Sequence, residues 1–226
     1  MQANNKSIKR ISNGSLRQED TPLHILVIEF IERNVLFFIR DYIDGEAEKG
    51  LNSNFVLCMN NLCTNELFIF HHEDIETPSS GISPSIDIGV YTKAKGRRGQ
   101  RFFALEAKRL CNSLPLARKK EYVIGHGGGI ERFKRDIHAS KLTNAAMLGY
   151  VQTDSFDIWK TRINDWINDE ITFSSSPDLK WFTKDSLIEE YQSLQIAKFK
   201  SSHSRISKSQ ITLIHLWINL VKSDFP

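Results

Sequence analysis

Asp87, Glu106 and Lys108, two carboxylates and one amine, are the residues whose types and spacing point most directly to chemistry. Asp87 lies in Pro84-Ser85-Ile86-Asp87-Ile88-Gly89-Val90, where Ile86, Ile88 and Val90 alternate with Ser85, Asp87 and Gly89. That period of two is the pattern of a strand with one buried face. Glu106 and Lys108 lie in Phe102-Phe103-Ala104-Leu105-Glu106-Ala107-Lys108-Arg109-Leu110, apolar without a break as far as Glu106. Such a run suits a central strand covered on both sides. The connection between the two is rich in Gly, Lys and Arg, so a β-hairpin is the simplest join. Residues two apart on a strand share a face, which puts Glu106 and Lys108 together and Ala107 opposite. A hairpin paired near its open end brings Asp87 alongside them. Charges buried there are costly unless they pair or bind a metal. The trio suits metal-assisted hydrolysis, with Asp87, Glu106 and the Ala107 carbonyl as ligands to a hard cation such as Mg2+ or Mn2+. Lys108 would orient or deprotonate the attacking water, or neutralise charge building on a phosphate. The bland alternative is a cross-strand Glu–Lys ion pair and a turn-forming Asp.

The elements that must position these groups follow from the apolar pattern. Thr21-Pro22 reads as a helix start, with Thr as cap and Pro in the first position. Leu23, Leu26, Val27, Phe30, Ile31, Phe37 and Phe38 continue at helical spacing to about Tyr42, apolar on more than one side. Such a helix packs on the sheet or on a partner chain, a homodimer included. Asp44-Gly45 breaks it, and a second helix starts near Glu46 with Leu51, Phe55, Cys58 or Met59, and Leu62 as its stripe. Glu66–Phe70 reads as a first strand ending in His71-His72-Glu73-Asp74. Adjacent strand residues face opposite ways, so the two histidines do not share an ion, and Glu73 is the better site candidate.

After the hairpin the chain is irregular around Pro115. Gly125-His126-Gly127-Gly128-Gly129 then leads into a helix carrying Ile130, Phe133 and Ile137. Backbone amides exposed at such an entry suit an anion. The stretch is neither a Walker loop nor a dinucleotide fingerprint, which disfavours nucleotide binding. Ala146–Val151 reads as a strand and Phe156–Ile171 as a helix buried through Ile158, Trp159, Ile163, Trp166 and Ile167. A turn and a short helix are expected over Pro177–Glu190, and an ordinary loop over Ser201–Arg205. Gln210–Leu220 leans to strand through β-branched Ile211, Thr212, Ile214 and Ile218.

Charge is uneven along the chain. Its net is +3, yet residues 93–141 hold 14 Lys/Arg against 4 Asp/Glu, while the remainder is net −7. A basic patch around the carboxylate motif attracts phosphate backbones. The hairpin loop supplies Lys93, Lys95, Arg97, Arg98 and Arg101, and the later helix supplies Arg132, Lys134 and Arg135. No apolar run of the ~18 residues needed to span a membrane occurs. Residues 1–20 are polar, the pattern of a mobile tail without a signal peptide. Cys58, Cys63 and Cys111 have no metal-site spacing and read as reduced thiols of a cytoplasmic protein.

An Asp at one strand end followed by Glu-x-Lys in the next apolar strand resembles the PD-(D/E)xK superfamily, the restriction-endonuclease-like nucleases. Pro84 stands three residues before Asp87 rather than beside it, a departure at the motif's least functional letter. The resemblance covers about residues 44–152. It implies an α/β fold with a mixed central sheet flanked by helices, to which this chain would add C-terminal helices and a last strand. Residues 21–226 would form one nuclease-like domain behind the tail. By the same resemblance Asp87, Glu106 and Lys108 are catalytic and a helix before the hairpin supplies another acid, Glu48 first and Glu46 next. Complementing the helix dipole is the equal alternative for that glutamate. The implied activity is Mg2+-dependent phosphodiester hydrolysis of nucleic acid, DNA before RNA, in settings such as bacterial defence or repair. The competing reading is a non-cleaving binding module or partner subunit of the same fold.

Overall fold

Pro22, fixed in an extended conformation, takes the cap position of α1, Leu23–Arg40, one residue later than the Thr21 cap expected. The computed structural model describes residues 21–76, 84–94, 99–125 and 129–222. The tail therefore lies outside the described residues, as do Lys95, Arg97, Arg98 and His126. A second helix, α2, runs Glu48–Leu62. Three antiparallel strands follow: β1 Phe68–Ile75, β2 Ser85–Thr92 and β3 Arg101–Leu110. Two short helices, α3 Leu116–Lys120 and α4 Ile130–Lys134, carry the chain to β4, Asn144–Val151, which runs parallel to β3. Ser155 caps α5, Phe156–Phe173, by accepting the Ile158 amide hydrogen. A 3-10 turn at Thr183–Asp185 precedes β5 Ile188–Gln192, β6 Ile196–Ser204 and β7 Gln210–Asn219.

The seven strands form one mixed sheet in the order β1-β2-β3-β4-β7-β6-β5. Helices cover both faces. On one, Val27, Phe30, Ile31 and Phe38 of α1 and Leu51, Phe55 and Met59 of α2 pack with Phe103, Leu105, Ala107, Leu148 and Tyr150. On the other, Ile130 and Phe133 of α4 and Trp159, Ile163 and Ile167 of α5 pack with Ala104, Met147, Leu213 and Trp217. Ala107 thus faces α1 and α2, while Ala104 and Leu110, in phase with Glu106 and Lys108, face the other layer. The two-residue alternation inferred for β3 holds.

Several expectations need correction. β1 does not stop at Phe70 but continues through His71-His72-Glu73-Asp74, paired with β2 as far as Ile75 against Ser85. Ser201–Arg205 is no loop: Ser201 to Ser204 end β6, and Ser201 and His203 are buried. In place of C-terminal helices and one strand there is one helix, a 3-10 turn and three strands. The serines and lysines of β6 hid its alternation, since only Ile196 and Phe199 announce a strand there. Ile158, expected inside, is 43% exposed, whereas Trp159, Ile163 and Ile167 are buried. Leu36 and Phe37 keep the outer side of α1 apolar and exposed. No helix of the described residues is long and apolar enough to cross a membrane.

Gly149 of β4 sits beside Trp217 of β7, and a methyl group there would lie 2.4 Å from the indole Cδ1. The indole is itself wedged against Phe199, with ring centroids 4.4 Å apart, so it has little room to yield. Gly149→Ala is expected to cost about 1–3 kcal/mol by overpacking. Urea denaturation measures this, and an unchanged midpoint would show that the central sheet can relax around the methyl.

Candidate active site

The β2–β3 ladder runs from Tyr91–Arg101 to Ile88–Leu105, and Asp87 lies just beyond it. There a side chain takes over from the backbone: Asp87 Oδ2 accepts the Ala107 amide hydrogen at 2.8 Å. The carboxylate is thereby fixed against β3 where the two strands stop pairing. Desolvation, then repulsion from Glu106, pushes the Asp87 carboxyl up to about 7, opposed by Lys108 and the Ala107 amide.

Lys108 and Glu106 are both nearly inaccessible, and Nζ donates to Glu106 Oε1 and to the Ala107 carbonyl, each at 2.8 Å. Glu48 approaches from the first turn of α2, with Oε1 3.5 Å from Nζ and Oε2 accepting the Arg109 amide hydrogen at 3.1 Å. Glu48 therefore joins the trio, whereas the Glu46 side chain accepts from Asn54. Burial disfavours the Lys108 ammonium, but Glu106, Glu48 and Asp87 outweigh it and raise its affinity for the proton. In this arrangement Lys108 is a cation and a donor, not a base.

The donors here are all oxygens: two carboxylates, a third at Glu48, and the Ala107 carbonyl. That set fits a hard divalent cation, which also keeps waters, and a cation would relieve the repulsion that raises Asp87. Among the described residues no three His, Cys, Asp or Glu side chains converge closely enough to hold an ion by themselves. A cleft of about 320 Å3 opens onto Glu48 and Lys108, with Lys49, Arg109, Arg118 and Glu121 along its walls. A larger groove, about 710 Å3, lies elsewhere, between Glu29, Glu32 and Arg33 of α1 and Glu190 and Lys198 of the β5–β6 edge.

Behind the trio lies a group of side chains that no sequence pattern announced. Asp74 accepts from Tyr91 at 2.6 Å and from Arg101 at 2.7 Å, and Arg101 also donates to Glu76. Gly89 makes room for this, since a Cβ there would stand 2.5 Å from Asp74 Oδ2. Glu76 in turn accepts the Ala139 amide hydrogen, next to His138. His138 is fully buried, with Nε2 3.4 Å from Glu106 Oε2 but not aligned as a hydrogen bond. Burial, then Arg132, pushes its imidazole down to about 3, so the ring is neutral.

The basic residues divide differently from the sequence expectation. Arg101 is spent on Asp74 and Glu76, and Lys93 donates to the Cys63 carbonyl. Lys134 is wholly buried, held by both oxygens of Asp185 at 2.9 and 3.0 Å and lying 4.6 Å from the centre of the Trp181 ring. Its assignment as a phosphate contact is therefore corrected: no phosphate reaches an ammonium enclosed in that way. Arg135 pairs with Glu131 and Asp178, and Arg132 is half-buried. Glu73 is exposed and pairs with Lys49 at 2.8 Å.

Sequence reasoning also missed a buried polar chain on the α5 side. Ser201 Oγ lies 2.6 Å from His203 Nε2 and 2.7 Å from His215 Nε2, and His203 Nδ1 lies 2.6 Å from Asp185. His215 Nδ1 meets the Tyr122 hydroxyl, which accepts from Trp217. The Ser-His-Asp order is that of a nucleophile site, yet all three are enclosed and the serine is shared by two imidazoles. It is a structural network. No protein-family model matches the chain, and no curated protein or solved structure does so either.

The raised Asp87 carboxyl has a consequence for stability. An aspartate titrates near ~3.9 when unfolded, so between that value and about 7 the folded protein holds the proton more tightly. Asp87 therefore favours folding at low pH and loses that contribution as pH rises towards 7. Asp87→Asn cannot ionise, so its stability relative to wild type should improve from about pH 4 to about pH 7 and level off above. Denaturant midpoints of both metal-free proteins across that range measure it; a difference independent of pH would mean Asp87 is not perturbed.

Proposed function

We propose that this protein is a metal-dependent phosphodiesterase acting on nucleic acid, DNA before RNA, with a PD-(D/E)xK-like core. The observation that carries the reading is the meeting of Asp87, Glu106, Lys108 and Glu48 at one end of the central strands, beside a cleft with basic walls. The chain order supports it too. Helices come first, then three antiparallel strands, a helical connection and a parallel fourth strand, within the mixed, helix-flanked sheet that the resemblance implies.

Asp87, Glu106 and the Ala107 carbonyl would hold Mg2+ or Mn2+, which when bound supplies Lewis-acid activation and charge neutralisation at the phosphate. The residues themselves do the rest. Lys108, kept protonated by its acidic neighbours, places a positive charge where charge accumulates on a phosphoryl oxygen. Glu48, tied to the Arg109 amide, holds the ammonium from the cleft side. Lys49, Arg109 and Arg118 hold the phosphate backbone at the cleft mouth. A binding module that does not cleave would gain nothing from two carboxylates gathered around a buried lysine, which favours the enzyme over the partner-subunit reading.

Incubation with duplex and single-stranded substrates, with Mg2+ or with EDTA, tests the proposal directly. Asp87→Ala, Glu106→Ala and Lys108→Ala should each lower cleavage by 100-fold or more, the scale lost when an electrostatic or acid–base group is removed, with the circular dichroism spectrum retained. Wild-type rates in a folded Asp87→Ala or Glu106→Ala protein would overturn it.

Binding and chemistry separate in the cleft wall. The double variant Lys49→Ala/Arg118→Ala removes two exposed charges and should flatten the log-log salt dependence of affinity by about one unit per phosphate contact. Cleavage at saturating substrate should fall far less than in Lys108→Ala. Fluorescence anisotropy on labelled DNA across a salt series reads the slope, and an unchanged slope would place the nucleic acid on another surface.

A further inference from the structure

His138 is the described side chain with the least evident reason to be where it is. It is 0% exposed and both ring nitrogens lack a hydrogen-bond partner. A buried polar group left unpaired is costly and calls for an explanation. The backbone around it is also unusual: Asp136 and Ala139 have φ of 58° and 50°, the left-handed region that non-glycine residues seldom enter. Strain of that kind persists only where the surroundings over-determine the conformation, and here they do. Glu76 accepts the Ala139 amide hydrogen, while Arg205 donates to the Ala139 and Ser140 carbonyls. The ring of Phe133 packs edge-on against the imidazole, centroids 5.6 Å apart.

This scaffolding aims Nε2 at one atom. It stands 3.4 Å from Glu106 Oε2, while Lys108 Nζ takes the other oxygen, Oε1, at 2.8 Å. The ammonium thus binds one oxygen of the Glu106 carboxylate, and the imidazole stands beside the other without a formed hydrogen bond. Carboxylates that ligate metals need such outer partners, which fix their orientation and commonly change affinity 10–100-fold.

We propose that His138 is a positioning residue, donating Nε2–H to Glu106 Oε2 and so presenting Oε1 to the cation and substrate side of the site. The contact itself is a property of the metal-free protein; its effect on a cation rests on the nuclease reading above.

Two measurements separate these levels. Long-range 1H–15N correlation on the metal-free wild-type protein should show His138 as the Nε2–H tautomer, with that resonance moving in Glu106→Gln. An Nδ1–H tautomer, or a resonance indifferent to Glu106→Gln, would overturn the proposal without reference to any metal. Mn2+ titration calorimetry should then show about tenfold weaker binding in His138→Phe, which keeps a ring beside Phe133, and substantial recovery in His138→Gln, which restores a donor. Wild-type Mn2+ affinity in a folded His138→Phe would overturn the positioning role. Should wild type bind no Mn2+ while the tautomer and its coupling to Glu106 are as expected, the nuclease reading fails and the contact stands.

Discussion

The ammonium of Lys108 is the charge on which the open end of the sheet depends. Three carboxylates, Asp87, Glu106 and Glu48, and a backbone carbonyl are brought together by the end of the β2–β3 ladder and by the first turn of α2. Without a positive partner, Glu106 would be a nearly buried anion beside Asp87, at a cost of several kcal/mol. Lys108 offsets that cost, and in doing so it engages the oxygens that a divalent cation would use. In the proposed function the ammonium and a divalent cation would share these oxygens, so each would weaken the hold of the other.

A second set of buried polar groups secures the α4–α5 layer, on the same face of the sheet as Glu106 and Lys108. Lys134 and Asp185 are both fully enclosed, and Asp185 continues through His203 and Ser201 to His215, Tyr122 and Trp217. Members come from α4, the 3-10 turn, β6, β7 and the segment after α3. Burial holds His203 and His215 neutral, so each can give one hydrogen bond and accept another. Breaking any link would leave a charged or polar group unpaired in the interior. The network thus ties the strands of the last third of the chain to the connection that follows β3.

What could be read from the sequence follows the range over which each signal acts. The hairpin of β2 and β3 and the shared face of Glu106 and Lys108 rest on the period-two alternation of neighbouring strands and were legible. β6 was not, because Lys198, Lys200, Ser201 and Ser202 interrupt its apolar rhythm and its pairing with β7 supplies the missing constraint. The roles of Lys134 and Arg101 were misread for a related reason: a cation looks the same in sequence whether it meets solvent or a buried aspartate. His138 carries no local signature, since its place depends on Glu106, Glu76 and Arg205, all distant in the chain.

The order of the strands carries a kinetic consequence. β7, made after both of its neighbours, lies between β4 and β6 inside the sheet. While a ribosome is still making residues 210–219, the edges of β4 and β6 that β7 will occupy have no partner, and the apolar faces of α5 and Trp181 have only part of their cover. The helices and the β1–β4 half can collapse early from local contacts, but completing the sheet waits for a parallel pairing across about seventy residues, Asn144 with Thr212 for one, a slow class of contact. During that interval the nascent chain presents open strand edges, the surface on which molecular chaperones and unwanted self-association compete.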